Sequence, residues 1–188
     1  EPTPDTSDQH MKFAAGIEDF LLLVENLAPN SQYYFSAYAI NETGIAYGNT
    51  IAATTLIGPA EIHTNEASVI RSSSAQSGGE IIHSGGGTIL DKGLCWSKAE
   101  NPGLQDSTSS AGPGDATFTL TMTNLSSNTL YKVRAYAINQ VDTVYGQNQS
   151  FTTLVDFSTV NTDSANSIDS NKAKLFGTIS DDGGGNIL

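Results

Sequence analysis

Hydrophobic and polar residues alternate along much of this chain. In DATFTLTMTNL, Phe118, Leu120 and Met122 fall on one side, and Thr119, Thr121 and Thr123 on the other. A period of two predicts a half-buried β-strand. In LYKVRAYAIN, Tyr131, Val133, Ala135 and Ala137 share one face, with Lys132, Arg134 and Tyr136 opposite. Clusters of Gly, Asn, Ser and Pro at 84–87, 101–103, 112–114 and 126–128 separate the alternating runs, as turns do. No segment carries sustained helical spacing.

The pattern is written more than once. Tyr33 matches Tyr131, Tyr38 matches Tyr136 and Tyr47 matches Tyr145, each pair 98 residues apart. The same shift carries Thr54-Thr55-Leu56 onto Thr152-Thr153-Leu154, and Gly85-Gly86-Gly87 onto Gly183-Gly184-Gly185. A fixed period without insertions marks a repeat architecture. Residues 57–154 make one complete unit, 1–56 the later part of a unit, and 155–188 the beginning of another. Only the segment DKGLCWSK, Asp91 to Lys98, has no counterpart.

About seven short strands per repeat predict an all-β fold, a two-sheet sandwich of the immunoglobulin kind. The residues LSSNTLYKVRAYAIN, preceded by GLCWS and followed by YGQNQSFTT, resemble a fibronectin type III-like repeat. Versions with this GLCWS element and this NP turn resemble those in tandem arrays of Bacteroidota surface proteins. The resemblance covers nearly the whole chain and implies tandem immunoglobulin-like or fibronectin type III-like sandwiches. It further implies that Tyr33 and Tyr131 turn a corner, with buried rings and hydroxyls bonded to backbone. Trp96 is then expected in the core, and Ala135 and Ala137 let the opposite sheet come close. A sandwich hosts many unrelated roles, so function needs separate evidence.

Charge narrows the partners. Net charge is −12 with a sequence pI near 4.3, which disfavours nucleic acid and anionic membrane surfaces. No apolar run is long enough for a membrane-spanning helix. The single cysteine, Cys95, excludes an intrachain disulfide and reads as a small buried apolar residue. His10, His63 and His83 lack metal-ligand spacing. The glycine triplets lack the Lys-Ser/Thr of a phosphate loop and read as turns. DDGGGN at 181–186 offers oxygen ligands for calcium, but its counterpart HSGGGT does not. These features predict a chain without catalytic residues, metal or cofactor.

The surface carries two further signals. Asp106-Ser107-Thr108, Asp142-Thr143-Val144 and Asp163-Ser164-Ala165 resemble the O-glycosylation signal of exported Bacteroidota proteins, with Ser107, Thr143 and Ser164 as acceptors. Asn-linked sequons stand at Asn41, Asn124 and Asn148. In the first unit, FLLLV occupies the place of FTLTM, so Leu21 and Leu23 take outward positions held by Thr119 and Thr121. Tyr34 and Ser36 likewise replace Lys132 and Arg134 on the outer face of the AYAIN strand. With Tyr38 and Tyr136, these residues form a candidate interface, against the alternative of scattered surface hydrophobics.

An extracellular or cell-surface repeat protein is the expectation: a stalk, adhesin or filament subunit with other copies or adjacent repeats as head-to-tail partners. Each partial unit is expected to be completed by another copy or by further sequence, because a half sandwich leaves its core face in water. The alternative is a module that binds carbohydrate or protein, attached to a secreted enzyme.

Overall fold

Strands alone make up the regular structure of residues 3–13, 16 and 19–188, which the computed structural model describes. The chain divides into two compact units, residues 1–58 with 85–87, and residues 59–84 with 88–188.

In the first unit, β1 (Gln32–Asn41) and β2 (Gly44–Thr54) form an antiparallel hairpin. The tight Asn41–Gly44 connection closes on the side chain of Asn41, whose Oδ1 accepts from the amides of Thr43 and Gly44 at 2.9 and 3.1 Å. FLLLV was expected to be a strand. It is not one here, because residues 20–24 pair with no strand and so have no ladder to hold them extended.

The second unit contains the complete sandwich. Its smaller sheet has the order β3-β4-β7, from β3 (Glu61–Thr64), β4 (Ala75–His83) and β7 (Phe118–Met122). The larger sheet runs β10-β8-β5-β6, from β5 (Asp91–Ser97), β6 (Ser107–Ser110), β8 (Leu130–Ile138) and β10 (Gln149–Thr152). A short β9 (Thr143–Tyr145) pairs with the end of β8. All pairings are antiparallel. A further hairpin follows, β11 (Thr159–Asn166) with β12 (Lys174–Asp181).

The alternation places the core where it was expected. Tyr131, Val133, Ala135 and Ala137 are buried with Leu94, Trp96, Met122, Leu125 and Phe151 between the sheets. Ala135 matters for what it lacks. A Cβ placed on Gly79 of β4 would lie 2.7 Å from Ala135 Cβ and 2.9 Å from His63 O. The two sheets therefore meet through one glycine and one alanine, with no space for a larger pair. Tyr131 stacks on Phe151 at 5.8 Å and its hydroxyl accepts from Ser126 N at 3.0 Å, so the tyrosine corner is formed.

The two hairpins differ from the sandwich in burial. Every residue of β11 and β12 is exposed, including Leu175, Phe176 and Ile179. In the first unit, none of the described residues within 3–58 is buried.

Gly79→Ala is expected to cost about 1–3 kcal/mol through overpacking against β8. Urea denaturation checks it, and an unchanged midpoint would refute the close contact.

Candidate interaction surfaces

The outward face of β8 carries Lys132, Arg134 and Tyr136, and each side chain is engaged. Lys132 Nζ pairs with Glu100 at 2.9 Å and donates to Ser150 Oγ at 3.0 Å. Arg134 lies over the Tyr145 ring at 4.5 Å and donates from Nε to Gly146 O at 3.0 Å. Guanidinium over an aromatic face is attractive, and more so when partly shielded from water.

Tyr136 does point away from the core, but it is only 3% exposed and offers no free ring to a partner. It sits across from Gly93 of β5, and a Cβ at Gly93 would stand 2.8 Å from the tyrosine ring and hydroxyl. The ring thus covers a glycine. Its hydroxyl donates to Asp91 Oδ2 at 3.0 Å, while Ser110 Oγ donates to Asp91 Oδ1 at 2.5 Å. Burial first, then the bond to Asp91 and its charge, push the phenol up to about 12. This Asp91–Ser110–Tyr136 cluster has no signature in the sequence, since its members come from three strands. The pairing of an aromatic with a glycine across the sheet is the only hint.

Tyr38, the counterpart in the first unit, is half-buried. Its ring meets His10 edge-on at 6.2 Å and lies 6.4 Å from Tyr47. Tyr34 is also half-buried, with its hydroxyl donating to Gln32 Oε1 at 3.1 Å. Leu21 and Leu23, by contrast, are 92% and 72% exposed. These two leucines are the open part of the expected interface.

Of the three glycan acceptors, Ser107 and Ser164 are exposed and Thr143 is half-buried. The preceding aspartates all have local duties. Asp106 Oδ2 accepts from Gly103 N at 2.9 Å, Asp142 Oδ1 from Thr143 N at 2.7 Å, and Asp163 Oδ2 from Thr178 Oγ1 at 2.5 Å. Ser107 lies on β6, at an edge of the larger sheet, where an added group meets no neighbouring strand.

Groups with chemical potential are held by structure. Cys95 is fully buried, donating to Pro102 O at 3.2 Å, and burial pushes its thiol up to about 11. A thiol so raised is a poor nucleophile at neutral pH. His83 meets Glu61 at 3.0 Å as a cross-strand pair on the exposed surface. In DDGGGN, Asp181 Oδ1 and Asp182 Oδ1 accept from Gly183 N and Gly184 N, each at 2.8 Å. Those carboxylates hold a turn whose glycines have φ of 69° and 76°. Among the described residues, no cluster of three or more His, Cys, Asp or Glu forms a metal-binding arrangement.

No family model and no curated protein matches this chain. Solved structures do. The sensor domain of the anti-sigma factor RsgI4 from Pseudobacteroides cellulosolvens is 24% identical, with 52% of this chain and 97% of that chain covered and a TM-score of 0.40. Domains d3–d4 of the rat CD45 extracellular region are 16% identical, covering 81% of this chain and 78% of that one, with a TM-score of 0.49. The FN1–FN3 domains of chicken CNTN1 are 14% identical, with coverages of 69% and 45% and a TM-score of 0.40. The sandwich class rests on the strand order and core described above, and these similarities add no functional argument.

Tyr136→Phe is expected to cost about 1 kcal/mol at neutral pH, the net value of one hydrogen bond. In the folded state the phenol keeps its proton up to about pH 12, whereas the unfolded chain releases it near 10.0. The stabilisation is therefore complete below pH 10.0 and lost as pH rises toward 12, while Cys95 adds a similar loss from 9.0 to about 11. Urea midpoints across that range should fall less steeply for Tyr136→Phe, and parallel curves would contradict the assignment.

Proposed function

We propose that this chain is a stretch of a non-catalytic extracellular structural protein built from tandem β-sandwich repeats, serving as a stalk, adhesin or filament subunit. The observation that carries this reading is a hydrogen-bond pattern that recurs at the sequence period of 98. Tyr33 Oη accepts from Ala28 N at 2.8 Å, and Tyr131 Oη accepts from Ser126 N at 3.0 Å. Thr55 Oγ1 donates to Ala28 O, and Thr153 Oγ1 to Ser126 O, both at 2.6 Å. Tyr47 Oη accepts from Thr6 N at 3.1 Å, and Tyr145 Oη from Leu104 N at 3.3 Å. Asn41 Oδ1 and Asn139 Oδ1 each accept from the amides two and three residues ahead.

What recurs is scaffold: corners, caps and turns. Residues that differ between the units include both surface positions, such as Leu21 against Thr119, and core positions, such as Phe35 against Val133, while the corner, cap and turn residues stay the same. That division supports a module repeated for architecture. Stacking such modules extends a chain at small cost in new design, because each repeat interacts mainly with its neighbours. The partners of this reading are adjacent repeats or other copies, head to tail, and surface location follows from the resemblance to exported arrays. Ser107, Thr143 and Ser164 remain the proposed glycan acceptors.

The exposure of Leu21 and Leu23 favours a second reading, a protein-binding module attached to a larger secreted protein. Leu21→Thr with Leu23→Thr would weaken such a complex and leave a pure spacer unaffected.

Negative-stain images of the full-length native protein are expected to show elongated particles with a regular repeat along their length. Compact particles would overturn the stalk or filament role. Mass spectrometry of the same material is expected to find hexose-bearing peptides over Ser107, Thr143 and Ser164; wholly unmodified peptides would reject the glycan assignment.

A further inference from the structure

One set of repeated contacts does not serve the interior of a sandwich. In the second unit, Asn128 Nδ2 donates to Gly184 O at 2.6 Å across 56 residues of sequence. Asp156 N donates to Gly183 O at 2.8 Å, and Asn128 N to Leu154 O at 3.0 Å. The corner after Leu125 is thereby tied both to the segment leaving the sandwich and to the glycine turn beyond it. Within the first unit the same three bonds recur at the same period. Asn30 Nδ2 donates to Gly86 O at 2.7 Å, Gly58 N to Gly85 O at 2.9 Å, and Asn30 N to Leu56 O at 3.1 Å.

The residue types are dictated by geometry. Asn30 and Asn128 have φ of 49° and 41°, in the left-handed region that asparagine tolerates. Gly86 and Gly184 have φ of 75° and 76°, and a Cβ there would lie 2.6 Å from Asn30 Cβ or 2.8 Å from Asn128 Cβ. The middle glycine of each triplet is thus required twice, for its backbone angle and for its contact. Neighbouring positions vary freely between the copies, with Pro29 against Ser127 and Gly58 against Asp156. Asparagine and the glycine triplet do not vary.

We propose that this corner and this glycine turn form a latch by which the complete repeat receives the segment that follows it. The inference rests on the tandem-repeat reading and adds the surface through which repeats join. β10 ends at Thr152 and β11 begins at Thr159, so the connecting segment is short. Leu154 within it is held at both ends of its peptide unit, its amide donating to Arg71 O at 3.1 Å and its carbonyl accepting from Asn128. A short connection pinned in this way, and latched again at Gly184, restricts the following repeat to one orientation. Domains joined without such contacts move relative to one another.

The test uses the full-length protein with Cys95→Ser, carrying spin labels at Thr119→Cys on β7 and Lys174→Cys on β12, both exposed positions. Pulsed dipolar spectroscopy is expected to give a narrow, single-peaked distance distribution. Asn128→Asp keeps the side-chain volume and the tolerance for positive φ but removes the donor; Gly184→Ala inserts the clashing methyl. Each is expected to broaden the distribution about two-fold, toward that of a free linker. Near-ultraviolet dichroism of Trp96 reports that the sandwich stays folded. If Gly184→Ala unfolds the last hairpin, Asn128→Asp decides, since it leaves every glycine in place. Equal widths in parent and Asn128→Asp, or a parent already broad, would overturn the latch. A narrow parent distribution together with compact full-length particles would instead remove the filament role and keep the latch.

Discussion

The close approach of the two sheets at Gly79 of β4 and Ala135 of β8 constrains how the complete sandwich is built. With the sheets this near, the side chains that fill the core must lie above and below the contact. Trp96, Met122, Tyr131 and Phe151 belong to the buried cluster that does so. The same closeness draws Gly146 against Thr64, where a Cβ would clash with the threonine hydroxyl. There the last strand is interrupted between β9 and β10, and Thr64 Oγ1 accepts the Ala135 amide at 3.0 Å in place of a ladder partner. A break in the sheet edge is therefore satisfied by a side chain from the facing sheet, as a buried backbone donor requires.

Around this core the polar groups act as fasteners. Thr153 Oγ1 donates to Ser126 O and also accepts from Thr129 N, so one hydroxyl closes the corner from both sides. Asn139 holds the β8–β9 turn through its Oδ1 and reaches Ser84 O through its Nδ2 at 3.0 Å. Buried polar groups of this kind are costly when unpaired and specify one geometry when paired. They explain how a sandwich without disulfides keeps its loops in place.

Much of this was legible in the sequence. Period-two alternation identifies β7 and β8, the glycine and asparagine clusters mark the turns, and the 98-residue shift aligns the corners. Trp96 and Tyr131 stand where the resemblance placed them. Outer faces were less legible. Alternation says which way Tyr136 points, but not that Gly93 lies under its ring or that Asp91 and Ser110 cover its hydroxyl. FLLLV misled for a related reason, since a strand pattern needs a partner strand to become a strand. The joint at Asn128 and Gly184 was hidden because each half, read alone, is an ordinary turn.

The burial of Lys92 has a consequence of its own. Its ammonium donates to the carbonyls of Gly112 and Pro113 and lies 5.9 Å from the Phe118 ring centroid, leaving the residue 4% exposed. Lys132 and Arg134 sit in β8, Lys132 paired by both β5 and β10 and Arg134 by β5. A protease that cuts after basic residues must draw an extended segment of backbone into its cleft, which these three positions do not release without unfolding. Within the sandwich, only Arg71 and Lys98 stand exposed outside the strands. The scarcity of positive charge and its placement together leave the folded module few sites, chiefly Arg71 and Lys98, for a protease that cuts after basic residues.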